Sequence, residues 1–241
     1  MCEQLLKNIS PYVDTQDFKF HTSNSNFLFL HSYFYFFLPV MKQALIIFVR
    51  KPLLGQVKTR LAANIGKDKT LALYIHLLHK TKEIADAVNA DKYVYYTNET
   101  EPNDLWNGYH KRTQTNGDLG NKMASAFAQL FAEGYKKIAI IGSDCYDLTA
   151  ALVNQAYQLL NTHNVVLGPA NDGGYYLLAL TQPTAELFAN KNWSTATVLA
   201  DTITTCNTLQ LNYHLLPQLI DIDTLADLQQ TTLYAKLQTI K

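Results

Sequence analysis

Four cations crowd one short stretch, Arg50-Lys51-Pro52-Leu53-Leu54-Gly55-Gln56-Val57-Lys58-Thr59-Arg60, in a chain that is only 17% charged. The stretch follows directly on the apolar run Ala44-Leu45-Ile46-Ile47-Phe48-Val49. A strand that empties into a cationic turn is a seat for phosphate in α/β proteins, so a nucleotide or another polyphosphate is the expected ligand. Two better-known phosphate loops fail on spacing. A P-loop needs Gly immediately before its Lys, where Val57 stands, and no G-x-G-x-x-G occurs. A merely solvated basic turn is the bland alternative, weakened by the acidic and glycine-rich motifs that follow later strands.

The first of these, Gly142-Ser143-Asp144-Cys145, comes directly after Ile138-Ala139-Ile140-Ile141. It puts a carboxylate two residues beyond a buried strand. Mg²⁺ prefers oxygen ligands and is usually shared between one or two carboxylates and substrate phosphates, so Asp144 is the first metal candidate. Asp147, just before a helix opened by Thr149, reads as a cap or turn residue. In Gly168-Pro169-Ala170-Asn171-Asp172-Gly173-Gly174-Tyr175, the glycines allow backbone to approach a ligand and Asp172 is displayed beside them. Asp-Gly between apolar runs is also a hairpin signal, and the two readings are compatible. Asp221-Ile222-Asp223-Thr224 supplies a second pair of acids. It is unlike the D-x-D-x-T phosphatase nucleophile motif, because Leu225 stands where Thr is needed. Asp223 is either a metal ligand or the N-cap of the last helix. Finally, Gln114-Thr115-Asn116-Gly117-Asp118-Leu119-Gly120 precedes an amphipathic helix. Its N–H groups could hold an anion, and Gln114 could read a base edge.

These motifs need strands and helices to position them. From Gln43 onward, short apolar runs alternate with segments of helical period, which predicts βαβ units and a mostly parallel sheet. Strands are expected over Ala44–Val49, Tyr93–Thr97, Ile138–Gly142, Val165–Gly168, Tyr175–Leu180 and Leu211–Leu215. Helices are expected over Lys67–Val88, Asn121–Glu133, Thr149–Asn161, Thr195–Thr208 and Thr224–Leu237. Thr224 and Asp227 have capping-box spacing. In open α/β sheets ligands lie beyond the carboxyl ends of the strands, which is where the motifs fall.

With 241 residues and 48% apolar content the chain can bury one sizeable core. Lys plus Arg equals Asp plus Glu, 20 against 20, so no general field draws it to nucleic acid or anionic membrane. Three scattered cysteines fit neither a disulfide framework nor a zinc site, and a cytoplasmic location is expected. The aromatic run Phe27–Val40 is too short to span a bilayer, which takes about 20 apolar residues, and it makes a poor signal peptide. Stable membrane insertion is therefore not expected. Residues 1–40 are expected to be an extension outside the domain, with Met41 as the translation start and 41–241 as the domain itself.

Lys51-Pro52, Gly55, Lys58-Thr59-Arg60-Leu61, Asn116-Gly117-Asp118-Leu119-Gly120, Gly142-Ser143-Asp144-Cys145, Gly168-Pro169-Ala170, Asp172-Gly173-Gly174-Tyr175, Trp193-Ser194 and Asp221-Ile222-Asp223-Thr224 together resemble one family. It is the glycosyltransferase-like, radical-SAM/selenodomain-associated transferase type one family, within the nucleotide-diphospho-sugar transferase (GT-A) superfamily. The resemblance implies a single-domain α/β GT-A fold, a mostly parallel sheet flanked by helices. It implies a metal-dependent transferase with a nucleotide or nucleotide-sugar donor, a small-molecule acceptor and a divalent metal, Mg or Mn. Lys51, Lys58 and Arg60 would meet donor phosphates, Asp144 and Asp223 would hold the metal, and Asp172 and Tyr175 would face the acceptor. The phospholactate guanylyltransferase family is similar and transfers a nucleotidyl group instead. A nucleotide-binding protein without catalysis is the rival of a different class. The chain departs from the family pattern in two places: Tyr146 replaces a Pro, and Asn121-Lys122 replaces Glu-Arg.

Overall fold

A computed structural model describes residues 42–239; the extension expected over residues 1–40 lies outside them. Seven strands form one sheet: β1 (Gln43–Val49), β2 (Asp91–Tyr96), β3 (His110–Thr113), β4 (Lys137–Ile141), β5 (Val165–Pro169), β6 (Tyr175–Leu180) and β7 (Tyr213–Leu215). Their spatial order is β3-β2-β1-β4-β6-β5-β7. All pairings are parallel except those that β6 makes with β4 and β5. The helices are α1 (Thr59–Ile65), α2 (Lys67–Asp86), α3 (Leu119–Ala132), α4 (Ala150–Leu159), α5 (Val198–Thr208), α6 (Leu225–Gln229) and α7 (Thr232–Thr239).

The central strands are apolar on both faces, as strands covered by helices on both sides must be. Leu45, Ile47 and Val49 face Tyr74, Leu78 and Ile84 of α2 and Val153, Ala156 and Tyr157 of α4. Ala44 and Ile46 turn the other way, toward Met123, Phe127 and Leu130 of α3 and Cys206 of α5. A third, smaller cluster matters most for function. Leu61 of α1, Leu77 of α2, Tyr146, Ile222, Leu228 of α6 and Leu233 of α7 pack together, tying the segments around the first and last acidic motifs into one body.

Topology then selects where these motifs meet. The chain leaves β1 toward β2 and β3, then returns to place β4 on the opposite side of β1. The carboxyl ends of β1 and β4 are therefore neighbours in register, with Ile47 opposite Ile141. This is the crevice where strand order reverses and ligands bind in open sheets.

The structure departs from the sequence reading in a few elements. β3 was not expected, because His-Lys-Arg-Thr carries no apolar signal; it is a polar edge strand beside β2. Helix α1 was read as the end of a turn. The single helix expected over Thr224–Leu237 is two, broken where the buried Thr231 hydroxyl donates to the Leu228 carbonyl at 2.7 Å, a local bond that competes with helix continuation. Helix α5 starts at Val198 and not Thr195, because the Thr195 hydroxyl donates to the Asn192 carbonyl in a turn. The expected hairpin at Asp172-Gly173 is present between antiparallel β5 and β6.

Close packing inside that hairpin is checkable. A Cβ on Gly168 would lie 2.4 Å from Cζ of Tyr176, whose ring is 2% exposed. Its hydroxyl donates to the Pro217 carbonyl. Gly168→Ala must displace that ring, and overpacking of this kind costs about 1–3 kcal/mol. A lower urea midpoint at unchanged slope is the expected result.

Candidate functional site

Strand β1 ends at Val49, and the next residue is clamped from the side. The Tyr74 hydroxyl, on α2, accepts from the Arg50 N–H at 3.2 Å and donates to its carbonyl at 3.1 Å. Buried Val57 then anchors the far end of the loop. Lys58 follows in the left-handed region, φ 46 and ψ 49, as the N-cap of α1. A non-glycine residue there costs about 1–2 kcal/mol, and a cation at a helix N-terminus opposes the macrodipole. Neither is offset by a side-chain cap, since Lys58 makes none.

What Lys58 gains lies across the sheet. Its ammonium donates to Oδ2 of Asp144 at 2.6 Å and stands 3.9 Å from Oδ1 of Asp223, with only 11% of the side chain exposed. Burial alone would lower its pKa, but the Asp144 charge and hydrogen bond, with Asp223 and Asp221 behind them, raise it. Lys58 is held charged. Arg60 reaches Oδ2 of Asp223 at 2.8 Å from a far more exposed position.

The acids are placed as deliberately. Gly142 has no side chain, and a Cβ there would lie 2.7 Å from Oδ1 of Asp144, so this glycine lets the carboxylate fold back over the end of β4. The Asp144 carbonyl accepts from the Ile222 N–H at 3.1 Å. That bond, with Ile222 fully buried, pins the segment carrying Asp221 and Asp223 beside Asp144. Asp223 is not the N-cap of α6. Thr224 is, in a complete capping box with Asp227, which leaves the Asp223 carboxylate to Lys58 and Arg60.

Asp221 is the residue that the sequence reading passed over, although it stands in the same pair of acids. Its Oδ1 is buried with no hydrogen-bond partner. Burial first, then the charge of Asp144, push its carboxyl well above the ordinary aspartate value against the pull of Lys58, and Asp172 adds to the rise. The signal was available in Asp-Ile-Asp: an extended segment that buries its middle residue turns both flanking acids the same way.

Other candidates go elsewhere. Lys51 pairs with Glu101 at 2.5 Å. Gly55 has φ +74, a conformation that favours glycine. The Gln114 amide donates to the Tyr95 carbonyl, and Asp118 caps α3 through the Asn121 N–H. Asp172 accepts from the Gly174 N–H at 2.9 Å, within electrostatic reach of Asp221. Gly173 makes a tight packing contact, since a Cβ would lie 2.1 Å from the Ala196 carbonyl oxygen. The Tyr175 hydroxyl is buried without a partner, its ring against the α3 and α5 side of the core. Asp147 ties down α7, accepting from the Thr232 hydroxyl.

Among the described residues, no three or more His, Cys, Asp or Glu side chains gather closely enough to hold a metal ion alone. The donor set still fits a hard cation that takes most of its ligands from phosphate and water. Asp144 and Asp223 are carboxylates with side chains 33% and 44% exposed, and Asp221 adds an unpartnered oxygen. Among the described residues no helix is long and apolar enough to cross a membrane.

Known proteins match this architecture. A crystal structure from Desulfovibrio desulfuricans G20, provisionally assigned as a nucleotide-diphospho-sugar transferase, superposes with TM-score 0.72 at 28% identity, over 81% of this chain and 94% of that one. The fold is similar to that of nucleotide-diphospho-sugar transferases. Rv0371c from Mycobacterium tuberculosis H37Rv, solved in complex with manganese, has TM-score 0.51 at 12% identity over 79% of this chain and 97% of that one. CMP:2-keto-3-deoxy-manno-octonic acid synthetase, solved with CTP, has 0.52 at 10% identity over 82% and 99%. At such identities these two show the transferase-like fold alone. Residues 80–195 match the family described as an uncharacterized protein conserved in bacteria, DUF2064. That span contains Asp144 and Asp172 but neither the cationic loop nor Asp223. No curated protein matches the sequence.

The unpartnered acid yields a prediction. An aspartate whose folded-state pKa is raised binds more protons folded than unfolded, so stability falls as pH climbs from its ordinary value toward its native one. Asp221→Asn removes this loss. Without ligand, the variant should melt above the wild type, by a margin smallest near pH 4 and growing toward pH 8. A constant margin across that range would place the effect elsewhere.

Proposed function

We propose that the chain is a metal-dependent transferase that uses a nucleotide donor and expels a phosphate-bearing leaving group, with sugar transfer from a nucleotide-sugar as the reaction. The observation that carries this reading is the meeting of Lys58, Arg60, Asp144 and Asp223 at the crevice between β1 and β4. The 28% identical relative supports the donor class. Membership of the radical-SAM/selenodomain-associated transferase type one family belongs to the same reading.

Asp144 and Asp223 would hold the divalent cation, Mg or Mn, with Asp221 available beside them; when bound, the cation neutralises charge on the donor phosphates. Lys58 and Arg60 supply preorganised positive charge where the leaving group develops negative charge. The β5–β6 turn, with Asp172 and the backbone at Gly173 and Gly174, borders the acids and would position the acceptor, while Gln114 and Asp118 lie at the loop after β3, where a base would rest. Tyr175, with its hydroxyl buried on the α3 and α5 side, would support this turn from behind and not touch the acceptor. Nucleotidyl transfer is the second reading, favoured by the same cation cluster, which serves a pyrophosphate leaving group equally well.

Thermal unfolding of the full chain against nucleoside triphosphates and nucleotide-sugars, each with Mg²⁺ or Mn²⁺, separates the two. Saturation at a hundred times Kd stabilises by about 2.7 kcal/mol, a rise of roughly 5–10 °C at this size. A metal-dependent rise with a nucleotide-sugar is expected, and a rise confined to one triphosphate would favour nucleotidyl transfer. Once a donor is found, Asp144→Asn should lower turnover by about 100-fold or more in a folded variant. No shift with any nucleotide would remove the proposal.

A further inference from the structure

We propose that Lys58 is a displaceable internal counter-ion that closes the acid site to free divalent cations, so that a cation is admitted only with a polyphosphate that draws the ammonium away. The inference rests on the reading of Asp144 and Asp223 as cation ligands and adds the order in which that site fills.

The ammonium stands between the two carboxylates, 2.6 Å from Oδ2 of Asp144 and 3.9 Å from Oδ1 of Asp223. A divalent cation would need Asp144 oxygen at about 2.0–2.1 Å for Mg²⁺. The two positive charges would then share one pocket, each disfavouring the other. The protein offers the cation little to compete with, since among the described residues no three acids, cysteines or imidazoles are grouped closely enough to hold a metal ion. Asp221 has a buried oxygen without a hydrogen-bond partner and lies within electrostatic reach of Asp144 and Lys58, so the ammonium already supplies positive charge to all three acids.

Displacement must come from the side chain. The Lys58 backbone is fixed in the left-handed region at the start of α1, with Val57 buried on one side and Leu61 on the other. Its flexible four-carbon stem carries three rotatable donors, unlike the fixed fork of arginine. It can re-aim from Asp144 to a phosphate oxygen without moving the loop. Arg60, paired with Asp223 at 2.8 Å but with its side chain 71% exposed, can turn from that carboxylate to meet the same phosphates from outside. The polyphosphate then brings ligands for the incoming cation and a new partner for the outgoing ammonium in one event.

The test uses the full chain and Mn²⁺ alone, with free Mn²⁺ measured by electron paramagnetic resonance. The wild type should bind Mn²⁺ weakly, and Lys58→Met at least about 10-fold more tightly, a difference of roughly 1.4 kcal/mol. The gain should vanish in Lys58→Met/Asp144→Asn. Melting followed by circular dichroism gives a second readout: Mn²⁺ should raise the melting temperature of Lys58→Met far more than that of the wild type. Should Lys58→Met not fold, Lys58→Met with Asp221→Asn removes one cation and one acid together and keeps both proposed ligands. It should bind Mn²⁺ at least about 10-fold more tightly than Asp221→Asn alone, by the same equivalence. Equal Mn²⁺ affinity with and without Lys58, or tighter binding with it, overturns the gate. That failure is distinct from failure of the nucleotide reading, because nucleotides would still shift the melting of the wild type. Mn²⁺ gain without any nucleotide shift would do the reverse.

Discussion

The contact between Lys58 and Asp144 at 2.6 Å joins two loops separated by more than eighty residues, and most of the site's geometry is arranged around it. Parallel pairing of β1 and β4 brings the loops together, and Gly142 clears the space for the carboxylate. The bond from Ile222 to the Asp144 backbone adds a third segment. Burying the lysine of an ion pair this far, with 11% of its side chain exposed, gains little stability, because desolvation offsets much of the Coulomb attraction. A strained lysine at a helix start makes the arrangement costlier still. The proposed charged ligand would give both groups the partners that this cost prepares for.

The site is balanced in charge and frustrated in detail. Two cations face Asp144 and Asp223, yet Asp221 keeps an oxygen without a partner. A buried oxygen left unpaired in this way costs stability. The frame around it does not. Its strands are packed on both faces, and the cluster of Leu61, Leu77, Tyr146, Ile222, Leu228 and Leu233 holds the participating loops against the C-terminal helices. On the proposed reading, this packed frame would hold the loops in place while the groups at the centre exchange partners.

Much of this was legible in the sequence, and the exceptions have physical causes. Continuous apolar runs announced β1, β4 and β6, whose ends lie within a residue or so of expectation, because strands buried on both faces leave no ambiguity of register. His110–Thr113 was invisible for the opposite reason, since an edge strand with polar side chains looks like a loop. The cations after β1 and the acid after β4 were recognisable as chemistry from their place after strands. Their pairing was not, because it depends on strand order. Asp-Ile-Asp announced two acids turned the same way but not which is enclosed; that depends on tertiary partners, since Asp223 meets Arg60 at the surface while an oxygen of Asp221 is buried without one. Lys51 and Lys58 looked alike too, and a glutamate in the loop after β2 separates them.

The most direct test is a crystal structure of the full chain with Mn²⁺ and the nucleotide that gives the largest melting shift, with data collected at the manganese absorption edge. The account predicts an anomalous peak bridging the donor phosphates and Asp144, with the Lys58 ammonium moved from that carboxylate onto a phosphate oxygen. A nucleotide bound away from the β1–β4 crevice, or a metal peak on Asp144 with the Lys58 contact intact, would contradict it.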